Sequence, residues 1–128
     1  MRAMTKHIRN GTSAVRPYVY GPPRLVDFAE RTFGADVVER SPDGSEVELR
    51  LGDSMIALSL GERFPEGAGT SGSIKVYVED ADATYARALD AGATAIAAPE
   101  DKPYQERACG VRDVFGNSWW ISTYRGDA

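Results

Sequence analysis

Two adjacent tryptophans near the end of the sequence, Trp119 and Trp120, have the greatest potential for binding chemistry. They lie in a segment with the alternation of a β-strand, so their indoles point to opposite faces of a sheet. Trp119 shares its face with the apolar Ile121, which predicts that it packs in the core. The opposite face combines a large ring with hydroxyl groups, and that combination suits a planar ligand. This predicted ligand face carries Trp120, Ser122 and Tyr124.

The same alternation predicts further ligand-binding side chains on the polar faces of the other strands. Aromatic rings there would stack on a planar ligand or hold a cation over their π faces. Basic side chains would bind an anionic group, and carboxylates a cationic one. The alternative is a sheet that wets one face, with charged residues alternating for that reason. The predicted set is Arg16, Tyr18, Glu46, Glu48, Met55, Lys75 and Tyr77, with Arg50 and Ser59 on the same faces.

Groups that could act as catalysts are scarce. Glu46 is a candidate general base if the fold desolvates it, and a solvated strand carboxylate is the alternative. The single histidine, His7, lies near the start of the sequence, so a Ser–His or Cys–His pair and a zinc site with two histidines are not expected. The single cysteine, Cys109, has no neighbouring histidine to activate it, and we expect a structural or dimer-interface role.

A tight turn must position the strand that carries the tryptophans. Gly116 and Asn117 accept positive φ at low cost, as a short hairpin turn requires. Asp113 precedes them and is placed to accept hydrogen bonds from the turn amides. The sequence therefore predicts a hairpin over residues 110–124.

The rest of the sequence repeats one pattern twice: a strand, a helix and three strands. Apolar residues at helical spacing predict helices over residues 23–33 and 81–91, each followed by a glycine suited to the helix C-terminus. Pro17 has no N–H, which predicts that the first strand is an edge strand or has a free donor side at this residue. In the second repeat, residues 94–98 are predicted as a short strand and residues 99–106 as a polar loop. The predicted boundaries are a flexible tail at 1–13, a first module at 14–60, a linker at 61–72 and a second module at 73–125.

The composition excludes several classes of protein. A net charge of −4 provides no basic excess to neutralise phosphates, so no nucleic-acid partner is expected. One cysteine permits no intrachain disulfide, and no apolar run has the ~18 residues of a membrane span. The basic, polar start does not have the apolar core of a signal peptide. We therefore expect a cytoplasmic protein with no membrane association.

Three stretches resemble the vicinal oxygen chelate superfamily, the glyoxalase/bleomycin-resistance/dioxygenase group. They are residues 25–35, residues 76–82 with 91–93, and the turn at 112–117, in which Val114 stands where the family usually has proline. The resemblance implies an α+β fold in which two βαβββ modules form an open, cup-shaped mixed sheet with helices on the convex side. It also implies a homodimer and a ligand inside the cup.

The resemblance further implies where a metal would be held. Metal-dependent members have four ligands, and by approximate alignment these positions fall near residues 14–16 and at Glu46, Ser73 and Trp120. Of these, Glu46 alone has a suitable donor, and a divalent ion requires several oxygen or imidazole ligands. We therefore expect no bound divalent metal and no other cofactor.

These observations favour a small-molecule-binding protein of the glyoxalase/bleomycin-resistance type. We expect a metal-free cup that binds an aromatic or amphipathic, antibiotic-like ligand. One alternative is an enzyme, either a glyoxalase-like lyase or isomerase or a metal-dependent dioxygenase-type enzyme. Another is a structural dimer whose cup binds no ligand of consequence.

Overall fold

The computed structural model describes residues 7–61 and 72–126, and it contains the two predicted modules. The first consists of β1 (Tyr18–Gly21), α1 (Arg24–Phe33), β2 (Asp36–Arg40), β3 (Glu46–Leu51) and β4 (Ser54–Leu60). The second consists of β5 (Ser73–Tyr77), α2 (Ala81–Asp90), β6 (Thr94–Lys102), β7 (Glu106–Arg112) and β8 (Ser118–Tyr124). The repeated βαβββ organisation is thus confirmed. No helix in the described ranges is long and apolar enough to span a membrane.

Each module forms one four-stranded mixed sheet. The strand orders are β1-β4-β3-β2 and β5-β8-β7-β6, so the two modules have the same topology. In each sheet the first strand pairs in parallel with the last, and the remaining pairs are antiparallel. The predicted α+β class is confirmed, with its mixed sheet present as two four-stranded sheets. Strand β1 is an edge strand, which is one of the two alternatives that Pro17 predicted.

The helix ends follow the local sequence signals. Helix α1 ends at Gly34, which adopts the left-handed conformation with φ of 66°. Helix α2 begins after Asp80, whose carboxylate accepts a hydrogen bond of 3.0 Å from the amide of Ala83. On helix α2, Ala88 is fully buried and the next residue, Leu89, is 37% exposed.

The core is continuous between the two modules, and Trp119 joins them. Its indole is only 1% exposed, as the strand alternation predicted. The ring centroid lies 5.7 Å from that of Phe28 and 5.2 Å from that of Phe33, both on helix α1 of the first module. A side chain of β8 thus packs against the opposite module, so this contact couples the stability of the two halves.

The turn between β7 and β8 is organised by Asp113. One carboxylate oxygen accepts hydrogen bonds of 2.9–3.0 Å from the amides of Phe115, Gly116 and Asn117. The other accepts from the side-chain amide of Asn117 and from the indole N–H of Trp119, both at 2.9 Å. Gly116 has a φ of 102°, as expected for a glycine at this point of the turn.

Strand β6 is longer than the sequence predicted. The segment that we predicted as a polar loop from Pro99 onwards continues the strand as far as Lys102. The strand lies at the edge of its sheet, where proline is tolerated, and its pairing with β7 shifts register between Ala95 and Ala97 and between Ala97 and Glu100. These irregularities remove the period-2 pattern from which a strand is predicted.

The predicted tail and linker lie partly outside the described residues. Those outside are 1–6 and 62–71. Within the part of the tail that the structure describes, Arg9–Gly11 forms a short 3-10 turn.

Candidate functional site

The predicted ligand-binding residues fall on two faces, one on each sheet. We call them the Tyr18 face, on the first sheet, and the Trp120 face, on the second. The Tyr18 face carries Arg16, Tyr18, Glu46, Glu48 and Met55, and the Trp120 face carries Lys75, Tyr77, Trp120, Ser122 and Tyr124.

Trp120 is held in place by two contacts on the sheet. Its indole N–H donates a hydrogen bond of 3.0 Å to the hydroxyl of Ser73 on β5. Its six-membered ring lies over Gly110 on β7, so closely that a Cβ atom at that position would come within 2.5 Å of Trp120 Cζ3. The side chain is nevertheless 38% exposed. The ring is therefore supported by the sheet and open to a ligand on its free side.

A pocket of about 310 Å³ opens beside this ring. Its volume lies within the range typical of small-molecule sites. Two of the predicted residues besides Trp120 line it, Lys75 and Ser122, and the other lining residues were not predicted. The complete lining is Lys75, Ala97, Lys102, Tyr104, Ala108, Cys109, Trp120 and Ser122.

Glu106 is a functional candidate that the sequence did not reveal. Its carboxylate is only 7% exposed, and it accepts hydrogen bonds from Tyr77 Oη at 2.6 Å and from Lys75 Nζ at 3.0 Å. The bonds from Tyr77 and Lys75 hold the pKa of Glu106 below its usual value, and the bond to Glu106 raises the pKa of Lys75. The Lys75 ammonium also lies 4.8 Å from the centre of the Tyr77 ring. Glu106 thus fixes two predicted binding side chains.

On the Tyr18 face, Glu46 accepts hydrogen bonds at both carboxylate oxygens. Tyr18 donates to one at 2.5 Å, and Ser59 donates to the other at 2.7 Å. The hydrogen bond to Glu46, with burial as a smaller cause, raises the pKa of Tyr18 to about 12. The rings of Tyr18 and Tyr20 stack at 5.2 Å with an angle of 10° between their planes. This arrangement supplies aromatic surface beside a carboxylate.

Arg16 lies on the Tyr18 face, where its guanidinium is occupied by groups of the same chain. It forms an ion pair with Glu48 and donates to the carbonyl oxygens of Ser13 at 2.9 Å and Thr12 at 2.7 Å. Further along the same segment, Arg9 forms an ion pair of 2.7 Å with Glu39. Residues 9–16 are thus held against the first sheet, and Arg16 has a clear structural role there.

Two other predicted residues lie outside these arrangements: Met55 is away from any open surface, and Tyr124 lines a second cleft. Met55 is fully buried, and its amide is 3.4 Å from the hydroxyl of Ser13. Tyr124 is exposed and lines a cleft of about 830 Å³ together with Tyr77 and with Phe33 of the first module. The structure therefore does not gather all ten predicted residues at one point.

The residues at the metal positions implied by the family resemblance do not fit a divalent ion. In the described part of the chain, no group of three or more His, Cys, Asp or Glu side chains lies close enough to hold a metal. Ser73 and Trp120, at two of the implied positions, instead bond to each other. An indole N–H donates and cannot serve as a ligand.

Comparison with known proteins places this fold in a family. The family model described as "Glyoxalase/Bleomycin resistance protein/Dioxygenase superfamily" matches residues 15–121. The uncharacterized protein Mb0911c of Mycobacterium bovis is 32% identical over 107 residues, which cover 73% of this chain and 70% of that protein. The chain spans between 63% and 70% of the length of the mycobacterial relatives that it matches.

Solved structures have the same fold. The chain is similar to TioX from Micromonospora sp. ML1, with a TM-score of 0.69 and 27% identity, covering 91% of this chain and 99% of TioX. It is also similar in fold to a glyoxalase/bleomycin resistance protein/dioxygenase family enzyme from Burkholderia phytofirmans, with a TM-score of 0.70 and 24% identity, covering 85% and 94% of the two chains. From the family model, the mycobacterial relatives and the repeated modules together, this chain belongs to the glyoxalase/bleomycin resistance protein/dioxygenase superfamily.

Proposed function

We propose that this protein binds a small planar aromatic or amphipathic molecule on the Trp120 face. One observation carries the proposal: Trp120 is fixed by Ser73 and supported by Gly110, yet its side chain remains 38% exposed beside a pocket of about 310 Å³. A large ring on a wetted surface would not need such support. A ring that is fixed before the ligand arrives loses little freedom on binding.

The proposed role is sequestration of an antibiotic-like compound, the role that the bleomycin resistance branch of the family name denotes. Binding of this kind needs a shaped aromatic surface and no reacting group. The side chains at the metal positions that the family resemblance implies are poor ligands for a divalent ion, which favours a site that binds its ligand without a metal.

The alternative, a glyoxalase-like lyase or isomerase, needs a group to move a proton. Glu46 is the candidate predicted from the sequence, but both of its oxygens already accept hydrogen bonds from Tyr18 and Ser59. A general base needs a carboxylate oxygen within reach of the proton that it removes, and here both oxygens are engaged by other side chains. The contacts therefore favour binding over proton transfer.

A homodimer in the cytoplasm is the proposed state of the protein. The supporting observation is exposed aromatic surface on both sheets, at Tyr18, Tyr77 and Tyr124. The first and last strands of each sheet order also leave pairing edges. Light scattering at micromolar concentration should give twice the mass of the chain, and a monomer mass would contradict the dimer.

A ligand screen tests the proposed function. The purified protein is melted in the presence of a panel of aromatic natural products and drugs, and we expect some planar compounds to raise the melting temperature. Each hit is repeated on Trp120→Ala, in which the shift should disappear. If no compound shifts the wild-type protein, or if the hits act equally on the variant, the proposal fails.

A further inference from the structure

The pocket beside Trp120 has a positive lining in a protein that is acidic overall. Among the eight residues that line it, two are lysines and none carries a carboxylate. The whole chain, in contrast, has a net charge of −4. We call this site the Trp120 pocket. The charge of its lining side chains is opposite in sign to the net charge of the protein.

Both lysines have charged partners that stand outside the lining. Lys75 pairs with Glu106, which is 7% exposed, whereas the Lys75 side chain is 46% exposed. Lys102 pairs with the exposed Glu100 on the same strand. An ammonium has three N–H donors, so each lysine retains donors beyond the one that its carboxylate accepts.

The pocket on the Tyr18 face, in contrast, contains carboxylates in its lining. A pocket of about 230 Å³ on that face is lined by three glutamates and two arginines, and the arginine Arg9 is paired with Glu39. The two faces of one protein therefore offer a ligand different charges. The lining glutamates are Glu39, Glu46 and Glu48.

Small residues line the Trp120 pocket beside the indole. Ala97 on β6 and Ala108 on β7 belong to the lining, and Gly110, opposite Trp120 in the β7–β8 register, lies beneath the indole. These small residues leave room for a planar ligand next to the ring. Lys75 and Lys102 stand on the outer strands β5 and β6.

We propose that the Trp120 pocket selects planar aromatic anions, with the ligand ring against Trp120 and its acidic group held by Lys75 or Lys102. This inference rests on the proposed binding function and specifies the chemical class of ligand. Aromatic carboxylates have the required shape and charge. A charge-assisted hydrogen bond is about twice as strong as a neutral one, so the acidic group should decide selectivity.

Three naphthalene compounds of similar shape and different charge test the proposal. Isothermal titration is performed with 2-naphthoate, the neutral 2-naphthylmethanol and the cationic 2-naphthylmethylamine. We expect the anion to bind at least about tenfold more tightly than the alcohol, and the amine to bind least. Added salt should weaken naphthoate binding and leave the alcohol unchanged.

Lysine variants locate the effect. Lys102→Ala removes a partly exposed ammonium whose partner Glu100 is exposed, so it should fold normally and weaken naphthoate binding about fivefold or more. Lys75→Gln should act in the same direction and keep a hydrogen-bond donor for Glu106. Arg40→Ala removes an equal charge from the pocket on the Tyr18 face and should leave the naphthoate affinity unchanged.

The outcomes separate this inference from the function on which it rests. Tighter binding of the alcohol or the amine, with dependence on Trp120, would overturn the selection of anions and leave the binding function standing. Equal naphthoate affinity in the wild type and in Lys102→Ala and Lys75→Gln would also overturn it. If none of the three compounds binds and the aromatic panel gives no hit, both proposals fail.

Discussion

The indole N–H of Trp120 and the hydroxyl of Ser73 are joined by a hydrogen bond of 3.0 Å across the parallel strands β8 and β5. The register places Lys75, and not Ser73, directly opposite Trp120, so this bond runs diagonally toward the start of β5. It orients the indole along the sheet toward β5. The Lys75 ammonium, which lines the same pocket, is held separately by Glu106 at 3.0 Å. The Ser73 contact therefore sets the orientation of the aromatic surface, and Glu106 sets the position of a positive charge in the same pocket.

Trp119→Ala should destabilise the fold without acting on the ligand face. The substitution removes a fully buried ring that packs between the modules, a change that typically costs about 3–5 kcal/mol. Denaturant unfolding measures the loss. Trp120→Ala is the matched control and should unfold close to wild type. If the two variants exchanged these behaviours, the assignment of faces would be reversed.

Asp113→Ala should also destabilise the protein strongly. The carboxylate accepts five hydrogen bonds, including those from the buried Trp119 indole and the Asn117 side chain. Each buried donor left without a partner costs about 1–3 kcal/mol, so we expect a loss of at least about 3 kcal/mol.

The control for this measurement is Asp53→Ala. Asp53 lies in the exposed turn between β3 and β4 and accepts a bond of 3.2 Å from Ser54. Its removal should change the free energy of unfolding by no more than about 0.5 kcal/mol. If both variants lost a similar free energy of unfolding, the hydrogen bonds around Asp113 would not stabilise the protein more than an exposed turn contact does.

Strand alternation predicted the fold and the opposite directions of Trp119 and Trp120, because both depend only on local periodicity. The role of Asp113 was predictable for the same reason, since its turn partners are within four residues along the chain. Contacts between distant residues could not be predicted in this way. Glu106, which lies 31 residues from its partner Lys75, stood at the end of a predicted loop.

Met55 and Arg16 illustrate a second limit of sequence reasoning. Alternation placed both on a ligand face, but it carries no information about chain segments that cover that face. Ion pairs of Arg9 and Arg16 hold the preceding segment against the first sheet. The burial of Met55 depends on tertiary packing, which no local pattern encodes.

The stability of the protein should depend on pH through Glu106. Hydrogen bonds from Tyr77 and then from Lys75 lower the pKa of Glu106 in the folded state. A carboxyl whose pKa is depressed on folding stabilises the fold above its unfolded pKa, and that contribution is lost as the pH falls through the folded pKa. Glu106→Gln should therefore be less stable than wild type near neutral pH, and the difference should shrink in acid. A difference that stays constant from neutral pH to below the usual pKa of glutamate would contradict this coupling.

The purified protein should contain no stoichiometric divalent metal, and chelators should leave its melting temperature unchanged. The reason is the donor set, in which Ser73 and Trp120 occupy two of the four positions that family resemblance assigns to ligands. Elemental analysis provides the measurement. About one zinc, nickel or iron per chain would refute the expectation and favour the enzyme alternative.

Ligand titration on Trp120 variants tests the central claim most directly. The best compound from the aromatic panel is titrated calorimetrically into wild type, Trp120→Ala and Gly110→Ala, the last because a Cβ at residue 110 would lie 2.5 Å from the indole. We predict at least about tenfold weaker binding to Trp120→Ala, equivalent to ~1.4 kcal/mol, and a clear loss in Gly110→Ala as its ring is displaced. Wild-type affinity in a folded Trp120→Ala protein would contradict the account.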